Sequence, residues 1–277
     1  MNLPTPAPPD PLRIRLRIAY DGTRYQGWQT QKIGQGVQEL VEKALKHLFP
    51  GTGPLQGSSR TDTGVHALGL VAHVDLPRAE WRMTPQRLVL ALNAHLPADI
   101  RVMAAARARA GFHARFHATG KQYRYRIWNS PAMNPLLNHC AWHVPRPLDL
   151  AAMRLAAAHF VGRHDFASFT TNPGYARAST VRTLTRCDLC RRGPEITIVI
   201  EGDGFLYKMC RAIAGTLVQT GLGRIAPDAI PAILAHRDRR VGGMTAPALG
   251  LVLISVRYGP RPRRPASPEA SDLPLDE

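Results

Sequence analysis

The chain predicts a mixed α/β fold of the α+β kind, and three observations carry that reading. Leu12, Ile14, Leu16, Ile18 and Tyr20 alternate with Arg13, Arg15 and Arg17, the period of two expected of a half-buried strand with one basic face. Val37, Leu40, Val41, Ala44, Leu45 and Leu48 recur at the spacing of an amphipathic helix. Strand-like and helix-like segments then keep alternating to residue 258. With 277 residues, 44% of them apolar, the chain has the length and composition of a folded soluble protein with one large domain or two moderate ones.

The elements follow in order. Residues 1–11 are proline-rich and read as a flexible leader; they lack the apolar run of a signal peptide. The strand over residues 12–20 ends in a turn at Asp21-Gly22-Thr23. The helix of Val37 to Leu48 comes next, then an apolar run to Leu76. Thr84-Pro85 has the pattern of an N-cap followed by proline at the first helical position, and opens a helix through Leu88, Val89, Leu92 and Leu96. Residues 99–106 read as a short strand, and Tyr123 to Arg126 as part of another. Asp149 predicts an N-cap for a helix through Val161, and opens a second half. His164-Asp165 reads as loop, because adjacent residues rarely face one another. Residues 170–180, with Gly174, Tyr175 and Arg177, read as a surface loop able to meet RNA. Residues 181–190 and 195–201 predict a hairpin, residues 203–220 a lead into a helix, 227–236 a short helix and 249–258 a last strand. Residues 259–277, rich in proline and charge, are expected to be a disordered tail. The organisation is therefore a leader (1–11), an N-terminal half (12–148), a C-terminal half (149–258) and a tail (259–277).

Charge narrows the partner. Lys plus Arg number 36 against 20 acidic residues, a net charge of +16, which points to a polyanion and to nucleic acid first. No stretch reaches 18 consecutive apolar residues, so no membrane span is expected and the protein is placed in the cytoplasm. Four cysteines occur. Cys187 and Cys190 form a single C-x-x-C, but no second pair lies near enough to complete a zinc site, and positions three apart on a strand face opposite sides. No metal and no cofactor is expected.

The most chemically loaded stretch is Gly57-Ser58-Ser59-Arg60-Thr61-Asp62-Thr63-Gly64-Val65-His66-Ala67. It holds an arginine, an aspartate, four hydroxyls and a histidine, and Gly64 permits a sharp turn that a side chain would obstruct. Asp62 is expected on a loop held by the strand after it. In an extended segment Arg60 and Asp62 point the same way, and a nearby guanidinium keeps a carboxylate ionised. Taken alone, Thr61-Asp62-Thr63-Gly64 reads rather as an Asx-type turn, with the carboxylate bonded to its own backbone. A second stretch runs from Phe112 to Arg126. Its interleaved aromatic and basic residues suit RNA, where phosphates bind cations and unstacked bases bind flat faces; a strand with Tyr123 and Tyr125 on one face is compatible with that.

Several of these segments together resemble the tRNA pseudouridine synthase A family. Residues 57–67 resemble its G-R-T-D-A/T-G-V-H-A signature, with Ser59 where glycine is usual. Tyr20-Asp21-Gly22, Tyr25 and Gly27-Trp28-Gln29 match its opening motif. Phe112-His113-Ala114-Arg115-Phe116 with Tyr123 and Tyr125 match its F-H-A-R-F and Y-x-Y segments, and residues 248–258 its closing strand. The resemblance spans residues 12–258. It implies a pseudouridine synthase fold, with a central, mainly antiparallel mixed sheet flanked by helices and built from two similar halves. It implies conversion of uridine to pseudouridine at positions 38, 39 and 40 of the tRNA anticodon stem-loop, with base flipping, by a homodimer. It implies that Asp62 is the nucleophile and that Arg211 pairs with it; the residues alone leave Glu201 or Asp203 open as the partner of Arg211. It implies that Arg115 contacts tRNA and that Tyr123 packs against the target base. Arg60, Phe112, His113 and Phe116 join the candidate RNA-binding set.

The chemistry needs one carboxylate and no redox step. An exposed aspartate with a pKa near ~3.9 is almost wholly ionised at neutral pH and ready as a nucleophile. Whether it attacks ribose C1′ or acts as a base at C2′ is open at this stage. Tyr123 is read as the general base for the C5 proton, with a stacking role as the alternative. Two other functions fit parts of the sequence. A non-catalytic RNA-binding protein accounts for the charge and the aromatics, but not for the set of Arg60, Asp62, Tyr123 and Arg211. A metal-dependent nuclease wants clustered carboxylates, whereas Asp21, Asp62 and Asp75 stand apart in sequence.

Overall fold

Strand β1 (Leu12–Tyr20) buries Leu12, Ile14, Leu16, Ile18 and Tyr20 and turns its arginines to the other face, as its alternation requires. The computed structural model describes residues 11–31, 34–171 and 179–259. The expected leader up to residue 10, the expected tail from residue 260, and Gly174, Tyr175 and Arg177 of the expected RNA-facing loop lie outside the described residues.

Helix α1 (Val37–Leu48) presents Val37, Val41, Ala44 and Leu45 to the core. A two-residue strand, β2 (Gln56–Gly57), precedes β3 (His66–Leu76). Helix α2 (Pro85–His95) starts as the sequence predicts: the Thr84 hydroxyl accepts from the Arg87 amide at 3.3 Å, with Pro85 at the first helical position. β4 (Ile100–Arg107) and β5 (Ala118–Trp128) follow, then the short β6 (Trp142–His143). Helix α3 (Leu150–Ala158) is capped by Asp149, which accepts from the amides of Ala151 and Ala152. It stops three residues before the expected Val161, because the amides of His159, Phe160 and Val161 bond three residues back and tighten the last turn. His164 and Asp165 are not loop: they lie in an edge strand, β7 (Gly162–Asp165), which pairs with β8 (Val181–Arg192). β9 (Glu195–Gly202), α4 (Met209–Gly221), α5 (Ile230–His236) and β10 (Leu251–Tyr258) complete the chain.

Among the described residues the ten strands belong to one sheet, with the main path β4-β1-β3-β10-β5-β9-β8-β7. Neighbours are antiparallel except β3 with β10 and β5 with β6. The fold is thus a mixed, mostly antiparallel sheet flanked by five helices, as expected. The strands' buried residues and the helices' apolar faces form one continuous core. A smaller cluster lies at the second face, where Phe112 and Ala114 cover Val71 beside Tyr258.

One irregularity positions the site. β3 and β10 pair only at His66↔Val252 and Ala67↔Leu253. Beyond that, β1 holds one edge of β3 and β2 takes up the other, at Gln56↔His73 and Gly57↔Ala72. The sheet therefore parts between β3 and β10, and the loop leaving β2 emerges at the parting.

Candidate active site

That loop, residues 58–65, carries Asp62. Ser58 anchors its start, donating its amide to the Val71 carbonyl at 2.7 Å and accepting the Val71 amide on its hydroxyl at 3.2 Å. Gly64 turns the chain with φ +76°. The motif at residues 20–29 clasps the loop from outside. The Tyr20 and Thr61 hydroxyls meet at 2.7 Å, and the Trp28 amide donates to the Thr61 carbonyl at 3.2 Å. Gly27, at φ +85°, backs onto that carbonyl so closely that a Cβ would sit 2.3 Å from it. His66 latches the far end. Its Nδ1 accepts the Gly22 amide at 3.0 Å, which assigns the proton to Nε2 and lets it donate to the Leu249 carbonyl at 3.0 Å.

Arg211 reaches Asp62 from the first turn of α4. Its Nη1 donates to Asp62 Oδ2 at 3.0 Å, and its Nε donates to the Ala246 carbonyl at 2.8 Å. The two side chains are 15% and 14% exposed. The sequence left three acids open as partners of Arg211; the pair forms with Asp62. Asp62 is not the exposed aspartate of the sequence reading. Burial pushes its pKa above the ordinary carboxylate value, and Arg211, then Lys208, oppose that rise. Lys208 stands just before α4 in the left-handed region, φ 59°, with its ammonium 4.9 Å from the centre of the Tyr207 ring. Arg60 is exposed and makes no ion pair with Asp62 or any other of the described residues.

Tyr123 lies on β5, buried, with its ring edge-on to Phe205 at 5.1 Å. Burial raises its phenol pKa far above the ordinary value, with Cys210 adding to the rise. The phenol is thereby held protonated at neutral pH and able to donate a hydrogen bond. Ser59 is buried beside it, and its hydroxyl makes no hydrogen bond of ordinary geometry. Lys121, two residues earlier on the same strand face, donates to the Ser58 carbonyl at 2.7 Å.

The segment 112–117 divides its side chains. Phe112 is turned inward against Tyr258, ring centres 5.1 Å apart. His113 Nδ1 accepts the amides of Arg115 and Phe116 and so shapes the turn. His73 Nδ1 accepts the Ala114 amide and fastens the turn to β3. Arg115 and Phe116 face outward, Phe116 with 74% exposure. Cys187 is buried and Cys190 exposed, on opposite sides of β8 as expected. Among the described residues no group of three or more His, Cys, Asp or Glu side chains is placed to hold a metal, and no helix is long and apolar enough to cross a membrane.

The family model described as tRNA pseudouridine synthase matches residues 17–117 and 156–259. The chain belongs to the tRNA pseudouridine synthase family. Relatives named tRNA pseudouridine synthase A agree along nearly their whole length. That of Syntrophotalea carbinolica is 45% identical over 253 residues, covering 90% of this chain and 97% of the relative. That of Acetivibrio thermocellus is 44% identical over 245 residues, covering 88% and 99%. As a member of a family of isomerases, this synthase carries Asp62, Arg115 and Arg211 within the matched stretches, whereas Lys121 and Tyr123 lie between them. Four residues given no role in the sequence reading also stand here: Thr61 with Tyr20, Lys121 and Lys208. Tyr20 and Thr61 belong to motifs already quoted, and Lys121 to the basic and aromatic stretch 112–126; Lys208 had no signal.

Proposed function

We propose that this synthase isomerises uridine to pseudouridine in tRNA at positions 38, 39 and 40 of the anticodon stem-loop, with Asp62 as the nucleophile and the target base flipped out of its stack. The observation that supports this most directly is the buried Asp62–Arg211 pair at the parting of the sheet. A carboxylate that burial pushes toward protonation needs a fixed cation to stay charged, and Arg211 is held for that purpose by its second bond to Ala246. Asp62 breaks the N1–C1′ bond of uridine, either by attack at C1′ or by removing a proton at C2′. The freed uracil turns and bonds through C5 to C1′, displacing the Asp62 carboxylate on the first route or adding to the glycal as Asp62 returns the proton to C2′ on the second. C5 then loses its proton and N1 carries one, so product and substrate are isomers.

Tyr123 forms one wall of the base pocket, Phe205 sets its ring, and Arg60, Arg115, His113, Phe116 and Phe112 belong to the surface that receives the stem-loop, Phe112 and His113 by shaping it. We further propose that the protein works in the cytoplasm as a homodimer. A deciding experiment maps pseudouridine in tRNA lacking the modification, with wild type and Asp62→Asn. Wild type should convert positions 38–40 without added metal and in the presence of a chelator. Asp62→Asn should convert none and keep tRNA affinity within a few-fold. Conversion by Asp62→Asn at the wild-type rate would remove Asp62 from the mechanism.

A further inference from the structure

Lys121 carries a charge that the protein leaves unmatched. Its ammonium has three protons, and one is donated to the Ser58 carbonyl. The charged and titratable groups that face it from the surrounding elements are Arg115 from the 112–117 turn, Arg182 from β8 and the Cys210 thiol from α4. Two of these are cations, and burial keeps the thiol protonated. The carboxylates nearby in the fold are engaged elsewhere. Asp62 pairs with Arg211, and Glu201, opposite Gln122 in the sheet, pairs with Arg257 at 2.9 Å. Lys121 forms no ion pair with any described residue.

A half-buried cation among cations is costly, and an anion arriving from outside relieves that cost. We propose that Lys121 binds the phosphodiester of the target nucleotide, beside the start of the loop that carries Asp62. The inference rests on the reading of the site as a tRNA pseudouridine synthase centre. Position supports it: Lys121 touches the peptide that joins Ser58 to Ser59, three residues before Asp62 begins its own reach to Arg211, and stands two residues from Tyr123 on one face of β5. A nucleotide whose base lies against Tyr123 brings its phosphate within range of this ammonium. The Ser59 hydroxyl lies buried beside Tyr123 at the same place. Its role is to bind and orient, and it takes no part in bond making.

Burial and the neighbouring cations lower the Lys121 pKa to about 8 in the free protein. A bound phosphate holds the proton on, so binding above that pH must take up a proton, and affinity falls as pH rises. The test measures the Kd of full-length, unmodified tRNA for the full chain as wild type, Lys121→Met and Lys121→Arg, at about pH 7 and pH 9 and over a salt series. Lys121→Met should weaken binding roughly tenfold or more at pH 7, and reduce the slope of log affinity against log salt by roughly one. Wild type should approach Lys121→Met at pH 9, whereas Lys121→Arg, which cannot lose its charge, should bind equally at both. A Lys121→Met protein with the wild-type Kd and salt slope but slower turnover would overturn the inference and leave Lys121 as a prop for Ser58. If Lys121→Met does not fold, the comparison of wild type with Lys121→Arg across pH decides. The parent reading fails separately, when wild type itself makes no pseudouridine in tRNA.

Discussion

Arg211→Met leaves the Asp62 carboxylate buried with its main cation gone. The penalty has a ceiling, because an unpaired carboxylate takes up a proton instead of staying charged. Starting from an unfolded value of ~3.9, protonation at pH 7 costs about 3 pKa units at ~1.36 kcal/mol each, or ~4 kcal/mol. That agrees with the roughly 3–5 kcal/mol typical of a broken buried pair. At pH 5 the same ceiling is only ~1.5 kcal/mol. The sign follows from the direction of the shift. The folded pKa lies above the unfolded one, so the folded state binds more protons and loses stability as pH rises between the two values. Wild type already leans that way, since burial raises Asp62, and the variant exaggerates it. Urea unfolding at pH 5 and pH 7 should therefore show a stability gap between wild type and Arg211→Met that widens with pH. A loss of ~4 kcal/mol expressed in the barrier is about 10³-fold in rate, to be read from single-turnover conversion of an anticodon stem-loop. The double variant Asp62→Asn/Arg211→Met should recover the pH-dependent part of the stability loss and none of the activity, leaving the lost Nε bond to Ala246 as the residue of the cycle. A gap of equal size at both pH values, or full activity in Arg211→Met, would refute this account of the pair.

Other perturbations separate the remaining roles. Tyr123→Phe should keep most of the single-turnover rate and Tyr123→Leu should lose it, because a phenol held protonated by burial serves through its ring; a loss of order 10²–10⁴ in Tyr123→Phe would support the general-base role. Gly27→Ala should cut activity more than it cuts tRNA binding, since its methyl would press the Thr61 carbonyl next to Asp62; unchanged turnover would show that the loop can shift without harm. Affinity for tRNA should fall steeply between low and moderate salt, as the +16 charge implies, and a flat response would contradict a phosphate-dominated interface.

Much of this fold could be read from the sequence because its elements carry strong local signals. β1 alternates without interruption, Thr84-Pro85 and Asp149 cap their helices as expected, and the C-x-x-C divides across β8. The failures lie where tertiary contact decides. β2 and β6 span two residues each, too short for any periodicity. His164 and Asp165 become strand only because β8 offers an edge to pair with. The burial of Asp62 had no local signal either, since its loop is polar and its cover comes from α4, 149 residues away. Arg60, two residues from Asp62 in sequence, proved a poor guide to its electrostatics, whereas Lys208, far along the chain, acts on it.

The same separation explains why the site forms where it does. A parallel pair of strands cannot be joined by a tight turn, so β3 and β10 meet only after the chain has built both flanks of the sheet. Their ladder covers only two residue pairs before β2 takes up the facing edge of β3. Each side of that junction contributes what the other lacks. The N-terminal strands hold the Asp62 loop, clasped by Tyr20, Gly27 and Trp28. α4 supplies Arg211, and β5 supplies Tyr123 and Lys121. A displacement of one flank against the other changes the Asp62–Arg211 distance directly, while leaving the hydrogen bonds within each flank intact. Activity in this synthase should therefore fail before global unfolding does. On a urea titration followed by both turnover and far-ultraviolet circular dichroism, the activity transition should come at the lower denaturant concentration. Coincident transitions would mean that the two flanks and the junction between them unfold as one unit.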